Sequence, residues 1–128
     1  MRLNQVTVPL VDYEASVAFY RTLGLKLIVA APPRYARFEM PDGDSTFSIE
    51  KVEGWTGGDW PGIWFESDRL DELVAELKAK GVVFESNPET MSYLWRMAQL
   101  RDPAGNRITL FHGGENRLNP PWRVKPDG

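Results

Sequence analysis

One supersecondary pattern is written twice in this chain. Near the start, the run Gln5-Val6-Thr7-Val8-Pro9-Leu10-Val11 ends on Asp12 and leads into Tyr13-Glu14-Ala15-Ser16-Val17-Ala18-Phe19-Tyr20; further on, Gly62-Ile63-Trp64-Phe65-Glu66-Ser67 ends on Asp68 before another helical stretch. In each copy an Asp stands where a side chain can cap the first helical turn, and a Gly, Gly24 or Gly81, stands where the helix must stop. The Asp residues lie 56 positions apart (68 − 12) and the Gly residues 57 (81 − 24). A nearly fixed offset marks a duplicated unit. It places any functional site between the two copies.

Local patterning fills in the units. From Leu3 to Val11, Val6, Val8 and Leu10 share one face and Leu3, Gln5 and Thr7 the other, which predicts a strand; Tyr13, Val17 and Tyr20, with Ser16 between, keep helical spacing over about 12–22. Leu25 to Val29, Tyr35 to Met40 and Thr46 to Lys51 read as strands, broken by Ala31-Pro32-Pro33 and Pro41-Asp42-Gly43-Asp44. In the second copy, Ile63 to Ser67 is a strand, and Leu70, Leu73, Val74 and Leu77 stripe a helix from Asp68 to about Lys80. Val82 to Glu85, Ser92 to Arg101 and Asn106 to His112 follow as strands, the last two joined by the turn Asp102-Pro103-Ala104-Gly105-Asn106. The expectation is an α+β domain over 1–112, with unit one at 3–51, a Gly- and Trp-rich linker at 52–61, unit two at 62–112, and an extended tail at 113–128 pinned by Trp122.

Composition excludes several classes. A net charge of −3 and a pI near 5.2 leave no basic surface for phosphate backbones, so no nucleic-acid partner is expected. The absence of Cys removes disulfides, thiolate catalysis and Cys-based zinc sites. With no signal-peptide core at Met1-Arg2-Leu3-Asn4-Gln5 and no apolar run of spanning length, no membrane partner is expected, and the default location is the cytoplasm.

Val11-Asp12 with Ser16 and Phe19-Tyr20, Leu23-Gly24-Leu25, and Asp102-Pro103-Ala104-Gly105-Asn106 before the last strand together resemble the vicinal oxygen chelate superfamily, which includes glyoxalase I, bleomycin resistance proteins and extradiol dioxygenases. The resemblance covers residues 3 to 112. It implies two tandem βαβββ units whose curled mixed sheets surround a cavity, usually in a homodimer. Metal-dependent relatives take four ligands from the first and last strands of the two units; carried over, these places are Gln5, Glu50, Gly62 and Thr109. Only Glu50 is a strong ligand among them, and Gly62 has no side chain. His112, the single histidine, falls on the strand face opposite Thr109. The expectation is therefore no cofactor, with a divalent metal as the alternative.

Counting by twos from those places puts Thr7, Thr46, Ser48, Trp64, Glu66, Arg107 and Phe111 on the cavity face and Phe47, Ile49, Ile63, Phe65, Ile108 and Leu110 toward the helices. The long strand offers either Tyr93, Trp95, Met97 and Gln99 or Leu94, Arg96, Ala98 and Leu100, and the first set suits a ligand wall. Candidate ligand-binding residues are Gln5, Thr7, Ser48, Glu50, Trp64, Glu66, Tyr93, Trp95, Arg107, Thr109 and Phe111; Glu50 is also the candidate catalytic residue. Structural roles stay open beside these: Trp64, Trp95 and Phe111 as core, Glu50 paired with Arg107 or Arg96, Trp55 and Trp60 as linker anchors, His112 at the surface or against the tail. The leading expectation is a metal-independent protein that sequesters or carries a small aromatic molecule, as in antibiotic resistance. A glyoxalase-like lyase or isomerase, or a dioxygenase, using Glu50 as metal ligand or general base is the enzyme alternative, and a dimeric interaction module the third.

Overall fold

The computed structural model describes residues 1–126; Asp127 and Gly128, the end of the expected tail, lie outside the described residues. The elements run β1 (Gln5–Leu10), α1 (Tyr13–Thr22), β2 (Lys26–Ala31), β3 (Tyr35–Glu39), β4 (Thr46–Lys51), β5 (Gly58–Glu66), α2 (Leu70–Ala79), β6 (Glu89–Thr90), β7 (Arg96–Arg101), β8 (Asn106–His112) and α3 (Glu115–Leu118). They form two four-stranded mixed sheets, ordered β1-β4-β3-β2 and β5-β8-β7-β6. The same βαβββ order appears twice in an α+β fold, and α2 begins 57 residues after α1 (70 − 13). Among the described residues no helix is long and apolar enough to cross a membrane.

Two compact units make up the chain, Met1–Pro61 with Arg101–Arg107, and Gly62–Leu100 with Ile108 onward. In the first, β1 runs parallel to β4, and β3 is antiparallel to both β4 and β2. Alternation along these strands buries Val8, Leu10, Ala36, Phe38, Phe47 and Ile49, and the ring of Tyr20 on α1 lies 4.8 Å from Phe47 and 5.7 Å from Phe38. Each large side chain buried this way contributes roughly 1.5–3 kcal/mol. On the other face of the same sheet, β1, β4 and β3 carry the polar residues Gln5, Thr7, Thr46, Ser48, Tyr35 and Arg37. In the second unit Ile63, Leu70, Val74, Leu77, Ala98, Leu100, Ile108 and Leu110 are buried.

The helix ends show how far local chemistry repeats. Asp12 caps α1 by accepting from the Ala15 amide at 3.0 Å. Leu25 N donates to Tyr20 O and Val82 N to Leu77 O, each at 3.0 Å, so both helices close on the same motif, with Gly24 (φ +105) and Gly81 (φ +91) at the left-handed position. A Cβ on Gly81 would meet nothing within 4 Å. Gly81→Ala should therefore cost only the backbone penalty, about 1 kcal/mol, read as a lower urea midpoint with unchanged slope.

Several boundaries differ from the sequence reading. Helix α2 starts at Leu70 with Arg69 as N-cap and no side-chain cap bond, because Ser67 Oγ accepts from Arg69 N and holds Asp68 in a turn before the helix. Val82 to Glu85 is not a strand. Val82 N is spent on the helix end, and beyond it Ser86 Oγ takes the Gln99 amide, so the equivalent strand shrinks to β6. Ser92 to Trp95 forms a tight turn with Leu94 at φ +71, so β7 begins at Arg96. The expected linker 52–61 gives its last residues, from Gly58, to β5, and the tail carries the helix α3. Trp122 is 57% exposed and does not pin that tail.

Candidate functional site

Aromatic side chains converge in the second unit. Trp95 stacks on Phe111 at 4.7 Å and 25°, and Trp64 meets both edge-on, at 5.6 Å and 5.5 Å. Tyr93 adds a fourth ring 6.2 Å from Trp95, and its hydroxyl lies 3.0 Å from Met97 Sδ. Strand alternation explains the gathering: Ala98 and Leu100 on β7 are fully buried, which turns Met97 and Gln99 to the other face with Phe111 and Thr109. Phe111 is the buried floor, whereas Trp64 is 42% exposed and Tyr93 39%. Such contacts hold the rings in place at roughly 0.5–1.5 kcal/mol per pair. Thr109 is buried and accepts from Gln99 Nε2 at 3.4 Å.

Glu66 is already engaged. Its Oε2 accepts from the amides of Gly113 (2.8 Å) and Gly114 (3.0 Å), and its Oε1 lies 3.4 Å from Arg117 Nε. This carboxylate fastens the start of α3, which sits beside Trp95: the indole N–H points to Asn116 O at 3.4 Å, and a Cβ on Gly113 would come within 3.1 Å of the ring. His112 Nδ1 stands 3.7 Å from Asp68 and 4.0 Å from Glu66, a partly exposed position against the tail.

On the polar face of the first unit, Gln5 Nε2 donates to Ser48 Oγ and to Thr7 Oγ1 (3.3 Å), and its Oε1 accepts from Thr46 Oγ1. Ser48, fully buried, shares a hydrogen bond of 2.8 Å with the Tyr35 hydroxyl, which accepts from Arg37 Nε at 2.8 Å. Sequence reasoning missed Tyr35 and Arg37, although alternation on β3 was signal enough: Ala36 and Phe38 point into the core, so their neighbours point out, with Arg37 paired to Ser48 and Tyr35 to Glu50.

Glu50 itself is exposed, and the arginines expected beside it have other partners: Arg96 makes two bonds to Asp71 (2.8 and 3.2 Å), and Arg107 lies 3.4 Å from Asp59. The hydrogen bond from Arg96 holds the Asp71 carboxyl below the usual carboxylate range. Asp59 is lowered likewise, mainly by its hydrogen bond from Arg101. Trp55 anchors its segment by donating to Ala104 O at 2.9 Å, while Trp60 is 83% exposed.

Of the places equivalent to the family's metal ligands, only Glu50 carries a charged donor. Gln5 pairs with Thr46 whereas Glu50 pairs with Pro9, four positions further along the strands. At about 3.3 Å per residue their Cα atoms are offset by roughly 13 Å along the strands, a span that two such side chains cross only when both extend toward the same ion. Gly62 offers no side-chain donor, and the buried Thr109 hydroxyl is occupied by Gln99. Among the described residues no group of three His, Asp or Glu side chains is placed to hold a metal ion.

A second buried polar cluster has a structural task. Tyr20 donates to Asp102 Oδ2 at 2.5 Å; Asp102 Oδ1 accepts from the Ala104 and Asn106 amides, each at 2.9 Å; and Asn106 Nδ2 bonds both Asp102 Oδ2 (2.7 Å) and Pro9 O (2.8 Å). The Asp-Pro-Ala-Gly-Asn turn is thereby tied to α1 and β1 of the first unit.

Comparison with known proteins agrees with this architecture. The family model described as Glyoxalase/Bleomycin resistance protein/Dioxygenase superfamily matches residues 2–110. Among solved structures, a lactoylglutathione lyase from Agrobacterium tumefaciens is 20% identical with a TM-score of 0.73, covering 88% of this chain and 93% of its own. A bleomycin-binding protein complexed with bleomycin is 20% identical, TM-score 0.73, over 89% of this chain and 99% of its own. A glyoxalase/bleomycin resistance protein/dioxygenase from Nocardioides is 22% identical, TM-score 0.77, over 98% and 90%. No match is found among the curated proteins. At these identities the solved structures establish the fold, and the family model, spanning most of the sequence, establishes membership: this chain belongs to the Glyoxalase/Bleomycin resistance protein/Dioxygenase superfamily.

Proposed function

We propose that the protein binds a small aromatic molecule without a metal ion, the ligand's flat face lying against Trp64 and Trp95 above Phe111. The observation that carries this reading is Trp64, a large apolar side chain left 42% exposed while held edge-on against two further rings. Open aromatic faces beside a few polar groups suit a flat organic ligand, and covering them releases roughly 25 cal/mol for each Å² of apolar surface removed from water. The offset of Gln5 and Glu50 by four positions, roughly 13 Å along the strands, supports the metal-free part of the proposal. The fold shared with a bleomycin-binding protein supports small-molecule binding, and the homodimer implied by the family resemblance belongs to the same reading.

The test is a titration of tryptophan emission against a panel of planar aromatic drugs and metabolites. One compound class is expected to change the emission saturably, with Trp64→Ala weakening its affinity at least tenfold, about 1.4 kcal/mol, and Trp60→Phe leaving it unaltered. A panel that leaves emission unperturbed, or a response that survives Trp64→Ala, would remove this reading.

A further inference from the structure

The hydrogen bonds on the polar face of the first sheet leave protons over. Arg37 donates its Nε–H to the Tyr35 hydroxyl at one end of the network, and Gln5 donates its amide N–H to Ser48 Oγ at the other. Between them lie two hydroxyls, Tyr35 and Ser48, joined by a single hydrogen bond. Each hydroxyl carries one proton, and the link uses only one of the two. The other has no acceptor among the described residues. Arg37 adds to the surplus, because among the described residues its two terminal nitrogens have neither a hydrogen-bond nor an ion-pair partner. Arg37 is half-buried on this face.

A half-buried cluster whose unspent groups are donors is complementary to an oxyanion, and a guanidinium fork matches the two oxygens of a carboxylate. Glu39 and Glu50 lie on the same face, opposite Thr46 and Tyr35 in register, and both are exposed. Their charge disfavours a dianion such as phosphate and leaves a singly charged group as the better match. We propose that this face is a carboxylate-binding site, in which Arg37 grips a small organic acid and the spare hydroxyl proton of the Tyr35–Ser48 pair completes its hydrogen bonds. The site stands on the first unit alone and does not depend on the aromatic wall.

Nuclear magnetic resonance titration of the full chain with sodium benzoate, benzamide and inorganic phosphate tests it. Benzoate should shift the Arg37 Nε–H resonance saturably, benzamide should bind at least tenfold more weakly, and phosphate should bind more weakly than benzoate. Arg37→Gln should weaken benzoate at least tenfold and Tyr35→Phe about threefold, each with the backbone spectrum otherwise preserved; Arg37→Lys should recover part of the loss. An unmoved Arg37 signal, a benzoate response that persists in Arg37→Gln, or tighter binding of phosphate than of benzoate would overturn the proposal. Because the aromatic wall is read separately through Trp64, failure of either site is seen without confusion with the other.

Discussion

Replacing Asp102 with Ala is expected to cost at least about 3 kcal/mol of folding stability. The carboxylate is 4% exposed and accepts four hydrogen bonds, so its loss strands the Tyr20 hydroxyl and the Ala104 and Asn106 amides in a buried turn. Each stranded donor carries roughly 1–3 kcal/mol, less whatever water recovers by entering. Tyr20→Phe is the gentler partner variant, since it removes the donor instead of orphaning it. The same pair gives the chain an alkaline limit. Burial, reinforced by the negative charge of Asp102 and the hydrogen bond to it, pushes the Tyr20 hydroxyl far above its ordinary pKa of 10.0. The folded chain therefore keeps a proton that the unfolded chain releases above pH 10. Stability is fully present below that point and should fall by about 1.4 kcal/mol per pH unit above it. Urea midpoints between pH 8 and 11 should show this slope, and Tyr20→Phe should flatten its share of it.

Glu66→Ala should loosen α3 while leaving the sheets folded. The carboxylate receives two amides and stands beside Arg117, and a hydrogen bond to a charged acceptor contributes about 1.5–3 kcal/mol. Losing them should speed amide exchange at Gly113 and Gly114 by roughly tenfold to a hundredfold, because opening this segment no longer breaks those bonds. Trp95 should then lose the shelter of Asn116 and emit at longer wavelength. Unchanged exchange at both glycines would show that α3 is held by something other than this latch.

What was legible in the residues follows distance along the chain. The Asp12 cap, both glycine helix stops and the buried Phe47 and Ile49 of β4 are set within a few positions, and they read correctly. Asp68 looked like the same cap, but the hydroxyl of Ser67 one position earlier captured the turn. The sidedness of β7 was legible too, since period-two alternation puts Met97 and Gln99 on one side and Ala98 and Leu100 on the other, whereas Trp95 reaches the wall from the turn before the strand. Glu66 was read as a ligand group because nothing nearby reveals that its partners are amides 47 and 48 residues away. Gln5 and Glu50 were grouped by family position; only the parallel register of β1 on β4 shows that they stand four rows apart.

Ligand affinity, followed by tryptophan emission in protein stripped with a strong chelator and again after adding Zn²⁺, Ni²⁺, Mn²⁺ or Fe²⁺, addresses the metal-free aromatic site most directly. Equal affinity in all these conditions, abolished by Trp64→Ala, is the outcome expected here. Binding that appears only with a divalent cation, and is lost in Glu50→Gln, would contradict it.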